Sequence, residues 1–148
     1  MRIWLTLAIV VALDRVSKVL VRNNLNLGES LEIIPGFFHL TYILNPGAAF
    51  GMLAGQKWFF ISTAVLVLVV IAYFQNKVPP EQKWMRICMG MIAGGALGNV
   101  LDRLFIGKVV DFLDFKVWSY IFNIADSAIV IGGILLALLM YKGDKQNG

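Results

Sequence analysis

Asp111, in Val109-Val110-Asp111-Phe112, and Asp126, in Phe122-Asn123-Ile124-Ala125-Asp126-Ser127, flank a short segment in a chain that is otherwise mostly apolar. At contact distance two carboxylates do not easily both ionise, so such a pair holds one proton near neutral pH and offers a general base and a general acid together. That equipment suffices to split an amide. The ionised partner takes a proton from water, the other donates to the carbonyl oxygen, and neither a covalent intermediate nor a metal is needed. Singly, each aspartate has a plainer reading: Asp126 as a helix N-terminal acid favoured by the dipole, Asp111 as a solvated loop residue.

Other polar groups gather near them. Asn99 and Arg103 are spaced to share one helix face, while Asp102 continues a stripe of glycines. A guanidinium and an amide at headgroup depth can hold a lipid ester, a phosphate or a backbone carbonyl. Asp102 beside Arg103 also reads as an ordinary interfacial charge pair. The run Asn45-Pro46-Gly47-Ala48-Ala49-Phe50-Gly51 is rich in small residues, which suit a tight turn or a close approach of a ligand. His39 stands alone, with no second histidine to help bind a metal, and receives no catalytic role. Cys88, the single cysteine, has no internal disulfide partner and reads as helix-interface filler.

The elements that must position these groups follow from composition. With 148 residues, 59% hydrophobic and 15% charged, and a mean hydropathy of +0.76, the chain is a small integral membrane protein. Its net charge of +4 comes from 13 basic residues scattered without a dense stripe, so no nucleic-acid partner is expected. Four apolar stretches are expected to span: Ile3 to Val21, Trp58 to Phe74, Met85 to Leu101 and Ile124 to Tyr141.

The first stretch contains Asp14, Arg15 and Lys18. Each would cost about +2.5 to +3.5 kcal/mol at mid-membrane, against roughly −0.3 to −0.6 for each Leu, Ile or Val, so the charges must sit off centre. Ile3 to Leu13 alone would fit a signal peptide. Asp14-Arg15-Val16-Ser17-Lys18 follows it in place of a small-residue cleavage site, so a span is expected. In the third stretch Gly90, Gly94 and Gly98 form a small-xxx-small ladder for close helix approach.

Four spans put both termini on one side. Lys and Arg divide almost evenly between the two sides and do not orient the chain. Asp14, Lys18, Asn45, Asn99, Asp102, Arg103, Asp111, Asn123 and Asp126 nonetheless all fall at one membrane face. The connection between the first two spans carries Phe37 to Leu44, strand-like in content, and predicts a small sheet on the membrane surface. Phe112 to Phe122 is partly amphipathic and is expected to form a short interfacial helical segment.

Three other functions compete. A magnesium-dependent lipid transferase would use Asp111, Asp114 and Asp102 against a diphosphate. A Ser-Lys peptidase would need Ser17 and Lys18, which are adjacent rather than helically opposed. A small non-enzymatic transporter would use the intramembrane charges as a pathway, yet they cluster on one side rather than through the span.

Taken in order, Asp14-Arg15-Val16-Ser17-Lys18, the Asn45 to Gly51 run, Gly94-Gly95-Ala96-Leu97-Gly98-Asn99-Val100-Leu101-Asp102-Arg103, Val109 to Phe112 and Phe122 to Ser127 resemble the successive boxes of the lipoprotein signal peptidases, signal peptidase II. The resemblance covers essentially the whole chain. It implies an all-α bacterial inner-membrane aspartic endopeptidase formed by residues 1–148 as one domain. Four transmembrane helices would carry a small extracytoplasmic β-cradle at about 23–56, and both termini would be cytoplasmic. The implied activity is removal of the signal peptide from diacylglyceryl-modified prolipoproteins, by a monomer in contact with membrane lipids, with no cofactor and no metal. By the matching boxes Asp111 and Asp126 would be the catalytic dyad, and Asn45, Gly47, Asn99, Arg103 and Asn123 would line the substrate pocket. Asp14 and Lys18 would support the pocket from the first helix, and Asp102 would be structural. Two positions depart from the family's pattern, Arg15 where Gln is frequent and Pro46 where many members carry Thr, and both bear on substrate preference more than on reaction class.

Overall fold

The computed structural model describes residues 2–47 and 53–147, so Ala48 to Gly51 of the Asn45 box lie outside the described residues. Helix α1 (Arg2–Asn24) leads to strands β1 (Ser30–Ile34) and β2 (Phe38–Asn45). Helices α2 (Lys57–Phe74) and α3 (Lys83–Phe105), strand β3 (Val109–Phe115) and helix α4 (Ile124–Asn147) follow. Helices occupy all four apolar stretches, and the expected sheet is present as an antiparallel array in the order β1-β2-β3.

α3 is the central helix, because glycine removes the Cβ wherever a neighbour comes closest. A Cβ on Gly90 would lie 2.6 Å from the Ile3 carbonyl oxygen, and one on Gly94 would lie 2.8 Å from Val10 Cβ. On Gly98 it would lie 2.8 Å from an Asp14 carboxylate oxygen. The expected ladder is therefore the seat of α1. Gly95 points the other way, where a Cβ would meet the Ala125 carbonyl oxygen at 2.3 Å, and this close approach seats the first turn of α4.

The bundle is apolar on the outside. Leu5, Leu13 and Leu20 of α1, Leu66 and Val69 of α2, and Ile134 and Leu138 of α4 are all exposed, as lipid-facing surfaces require. Among the described residues α2, α3 and the Ile124–Lys142 part of α4 are long and apolar enough to cross a membrane. α1 is not among these three; it carries Asp14, Arg15 and Lys18.

One expectation is corrected. Phe112 to Phe122 holds no interfacial helix: β3 runs to Phe115 and the chain then turns back, so that Phe122 pairs with Leu113. The reason lies in the backbone donors. On one side β3 pairs with β2; on the other, the Phe112 and Leu113 amides both donate to the Phe122 carbonyl, at 3.0 and 2.7 Å. A helix would forfeit both sets, and the β-prone run Val109-Val110 with Phe112 and Phe115 favours the strand. Val110 and Phe112 pack with Tyr42 of β2 on Val21 of α1, fastening the sheet to the end of that helix.

Gly107 (φ +84°) makes the turn from α3 into β3; its amide donates back to the Asp102 carbonyl at 3.1 Å, a helix C-terminal arrangement that favours glycine. β2 carries one extra residue opposite β3 between Leu40 and Ile43, a bulge immediately beside Asp111.

Gly95→Ala is expected to lower stability by about 1–3 kcal/mol, because the backbone of α4 cannot yield as a flexible side chain would. Gly133→Ala, which meets nothing within 4 Å, should be neutral or slightly stabilising. Thermal unfolding of the two variants in detergent compares them directly.

Candidate active site

The site begins with the start of α4. Asn123 caps that helix: its Oδ1 accepts the Asp126 amide at 2.9 Å, and an Asp126 carboxylate oxygen accepts the Asn123 amide at 3.3 Å. This is a reciprocal capping box with aspartate in the third helical position. The helix-terminal reading of Asp126 is thus correct, and it also aims the carboxylate. The Asn123 side chain has a second end, whose Nδ2 donates to Asp111 Oδ1 at 2.6 Å. One fully buried asparagine therefore joins both aspartates.

Asp111 reaches this point from β3, beside the bulge. Its other oxygen accepts Asn45 Nδ2 at 2.9 Å, and Asn45 is held in turn by the Gly47 amide donating to its Oδ1 at 2.9 Å. From α3, Asn99 Nδ2 donates to Asp126 Oδ1 at 2.7 Å. Both carboxylates open on one cavity of about 490 Å³, with Asn45, Gly47, Asn99 and Arg103 in its lining. The cavity continues between α2, α3 and α4 along an apolar wall that includes Phe60, Val67, Ile92 and Ile129. Asn123 is absent from that lining and stands behind the pair as a brace.

Arg103 packs its guanidinium 4.4 Å over the Phe60 ring and donates to the Gly47 carbonyl at 3.0 Å. It ties α2 and the strand-to-helix connection to α3. Burial pushes the Asp111 carboxyl up to about 7, with the nearby charge of Asp126 adding to the rise, against the amides of Asn45 and Asn123 and the charge of Lys18.

Below the pair lies a buried ionic cluster. Lys18 Nζ is 2.9 Å from Asp14 and 2.8 Å from Asp102, and all three side chains are at most 2% exposed. Arg15 completes it by pairing with Asp102 and, at 3.3 Å, with Asp14. Asp14 also accepts the Ala125 amide of α4 at 3.1 Å, and Asp102 the Val110 amide of β3 at 3.1 Å. Asp14, Lys18 and Asp102 thus stand beneath the cavity rather than in it. Arg15, read from sequence as one of three charges to be placed off centre and as a departure from a pattern, is the fourth member, and the separation of Arg15 from Asp102 along the chain gave no local signal of that role.

The groups invoked by the competing functions are engaged elsewhere. Asp114 accepts Thr41 Oγ1 at 2.6 Å and Lys116 Nζ; those hydrogen bonds overcome the effect of burial and hold its carboxyl below the usual range. Asp102 belongs to the ionic cluster, and Asp111 to the asparagines. Among the described residues no three His, Cys, Asp or Glu side chains are grouped to hold a metal. Ser17 Oγ donates to the Asp14 carbonyl at 3.0 Å, and Ser127 Oγ to the Asn123 carbonyl at 2.9 Å, so neither hydroxyl is aimed as a nucleophile.

Comparison with known proteins gives a consistent answer. The family model described as signal peptidase (SPase) II matches residues 6–142. The lipoprotein signal peptidase of Desulfitobacterium hafniense is 57% identical over 147 residues, covering 99% of this chain and 97% of that protein. The lipoprotein signal peptidase of Moorella thermoacetica is 46% identical over 139 residues, covering 93% and 92%. A solved bacterial membrane enzyme superposes with a TM-score of 0.90 at 36% identity, over 97% of this chain and 90% of that one.

Asn123→Ala removes the cap and a donor to Asp111 together. It is expected to cost about 1–2 kcal/mol in thermal unfolding from the cap alone, and to lower activity by more than that loss of folded protein explains.

Proposed function

The chain belongs to the signal peptidase II family, a family of aspartic peptidases, and from this we propose that it cleaves the signal peptide from diacylglyceryl-modified prolipoproteins just before the lipidated cysteine, using a water activated by Asp111 and Asp126. The observation that carries the reading is one buried residue, Asn123, whose side-chain nitrogen donates to the Asp111 carboxylate and whose backbone N–H donates to the Asp126 carboxylate, with both carboxylates opening on the same cavity.

The pair holds one proton. As the water oxygen bonds to the scissile carbonyl carbon, its proton passes to the ionised aspartate and the other aspartate protonates the carbonyl oxygen. The carbon–nitrogen bond then breaks: the proton just taken up passes to the leaving nitrogen, and a hydroxyl of the intermediate returns a proton to the second aspartate. One water is consumed and the pair is restored. Asn45 and Asn99 orient the carboxylates from the cavity side, and Arg103 with Gly47 shapes the mouth where the lipidated segment would lie.

All four helices span the bacterial inner membrane in this reading, with both termini cytoplasmic and the pair on the extracytoplasmic side. The charges of α1 are compatible with a span because they face the interior as the cluster of Asp14, Arg15, Lys18 and Asp102, while the outer face of that helix is apolar. The partners are then prolipoproteins and membrane lipids, and the enzyme acts as a monomer. A cavity with an apolar wall between membrane helices suits a substrate that is itself an apolar helix ending at the membrane surface.

Asp111→Asn and Asp126→Asn are each expected to lower cleavage of a diacylglyceryl-modified prolipoprotein in liposomes by at least about 100-fold. Near-normal turnover by either variant overturns the dyad, and equal cleavage of the unmodified precursor overturns the lipid requirement. For pH the sign is set by the raised carboxyl. Asp111 retains a proton up to about 7, so the singly protonated pair is lost as pH rises through that value, and kcat/KM should fall on the alkaline side with a midpoint near 7.

A further inference from the structure

Lys18 touches neither aspartate, yet it determines how both are hydrogen-bonded. An ammonium has donors and no acceptor, so the Asn99 atom that it meets at 3.4 Å must be Oδ1. That turns the Asn99 amide nitrogen toward Asp126, at 2.7 Å. The same Oδ1 accepts Asn123 Nδ2 at 3.2 Å, so the Asn123 nitrogen faces Asp111 and its oxygen faces the Asp126 amide. One buried cation thus sets the direction of two amides.

The consequence is unequal for the two carboxylates. Asp126 sits in the first turn of α4, where the helix end favours an anion. It accepts a backbone amide at 3.3 Å and the Asn99 amide, which Lys18 polarises from its other end. Asp111 lies on a strand, and its contact with the start of α4 is the side chain of the cap residue Asn123. Among the described residues it accepts two side-chain amides, and that of Asn123 also meets Asn99 Oδ1 at 3.2 Å and the Val110 carbonyl at 3.3 Å. The charged groups around Asn99 and the pair are Asp14, Arg15 and Lys18 from α1, Asp102 and Arg103 from α3, Asp111 from β3 and Asp126 from α4. Two acids and two bases leave the lower cluster near neutrality, so the charge of Lys18 that opposes the rise at Asp111 is partly balanced by its neighbours, and Lys18 acts in addition at short range through Asn99.

We propose that Lys18 is a positioning residue which, through Asn99, holds Asp126 as the ionised partner that takes the proton from water, and leaves the shared proton on Asp111, which donates to the carbonyl oxygen. This assignment rests on the dyad reading above and adds to it which aspartate does what.

Infrared spectroscopy of the full chain in detergent, with aspartate carboxyls isotopically labelled, reads the protonated-carboxyl stretch at pH 6. Asp111→Asn should abolish that band, because Asp126 remains ionised. Adding Lys18→Met should create new absorption of which one part vanishes when Asp126→Asn is added as well, the remainder coming from Asp14 or Asp102 left without their ammonium, whereas adding Lys18→Arg should create none. If Lys18→Met does not fold, Asn99→Leu removes the relay while the ionic cluster stays intact, and it should create the Asp126 part alone. A protonated band that survives Asp111→Asn, or an Asp126 that stays ionised when the relay is removed, overturns the assignment and leaves the dyad standing. Cleavage by either single aspartate variant is a separate result, and it would fell the dyad itself.

Discussion

The structure depends on burying Asp14, Lys18 and Asp102 together. Each of these side chains is at most 2% exposed, and an isolated charge there would be far too costly to keep ionised. Pairing removes the cost only while all the partners stay in place, since removal of one member of a buried pair typically costs about 3–5 kcal/mol. The spare acceptor capacity of the two acids is used across elements, Asp14 for the Ala125 amide of α4 and Asp102 for the Val110 amide of β3. One ionic cluster therefore fixes α1, α3, β3 and α4 at a common depth. Gly98 is part of the same constraint, because the Asp14 carboxylate occupies the space where its Cβ would be.

The chemistry is built on top of that platform from groups that also do structural work. The capping box that starts α4 aims Asp126. The cap residue itself braces Asp111, and the strand carrying Asp111 is placed by its Val110 amide on Asp102. A bulge in β2 and the tie between Gly47 and Asn45 bring a third amide to the pair. Helix capping, sheet register and carboxylate geometry are thus one hydrogen-bonded network. A small chain with little structure outside its helices can in this way hold two carboxylates on one cavity.

Much of this was readable in advance, for particular reasons. The glycine ladder in α3 repeats at helical spacing and so announced a close helix approach, which proved to be the seat of α1. Phe37 to Leu44 showed strand composition followed by turn residues, and β2 lies there. Phe112 to Phe122 misled because its aromatic and polar residues fit an amphipathic helix about as well as a strand with a returning turn. The partners that decide between them, β2 on one side and Phe122 on the other, come from pairing and not from local pattern. Arg15 was equally opaque, since Asp102 is distant in the chain and approaches only when α1 settles on the glycines.

By itself the sequence determined the apolar helices, the gathering of polar residues at one end of them, the two candidate carboxylates and the family. Those follow from composition, short-range periodicity and the order of local motifs. The tertiary structure decided that Asp111 and Asp126 share Asn123, that Asn123 stands behind the cavity, and that the charges of α1 face inward as a paired cluster. These properties depend on where an amide or a carboxylate lies across a helix crossing or a strand pair. An ammonium that can only donate and a carboxylate that accepts then leave each asparagine one way to face.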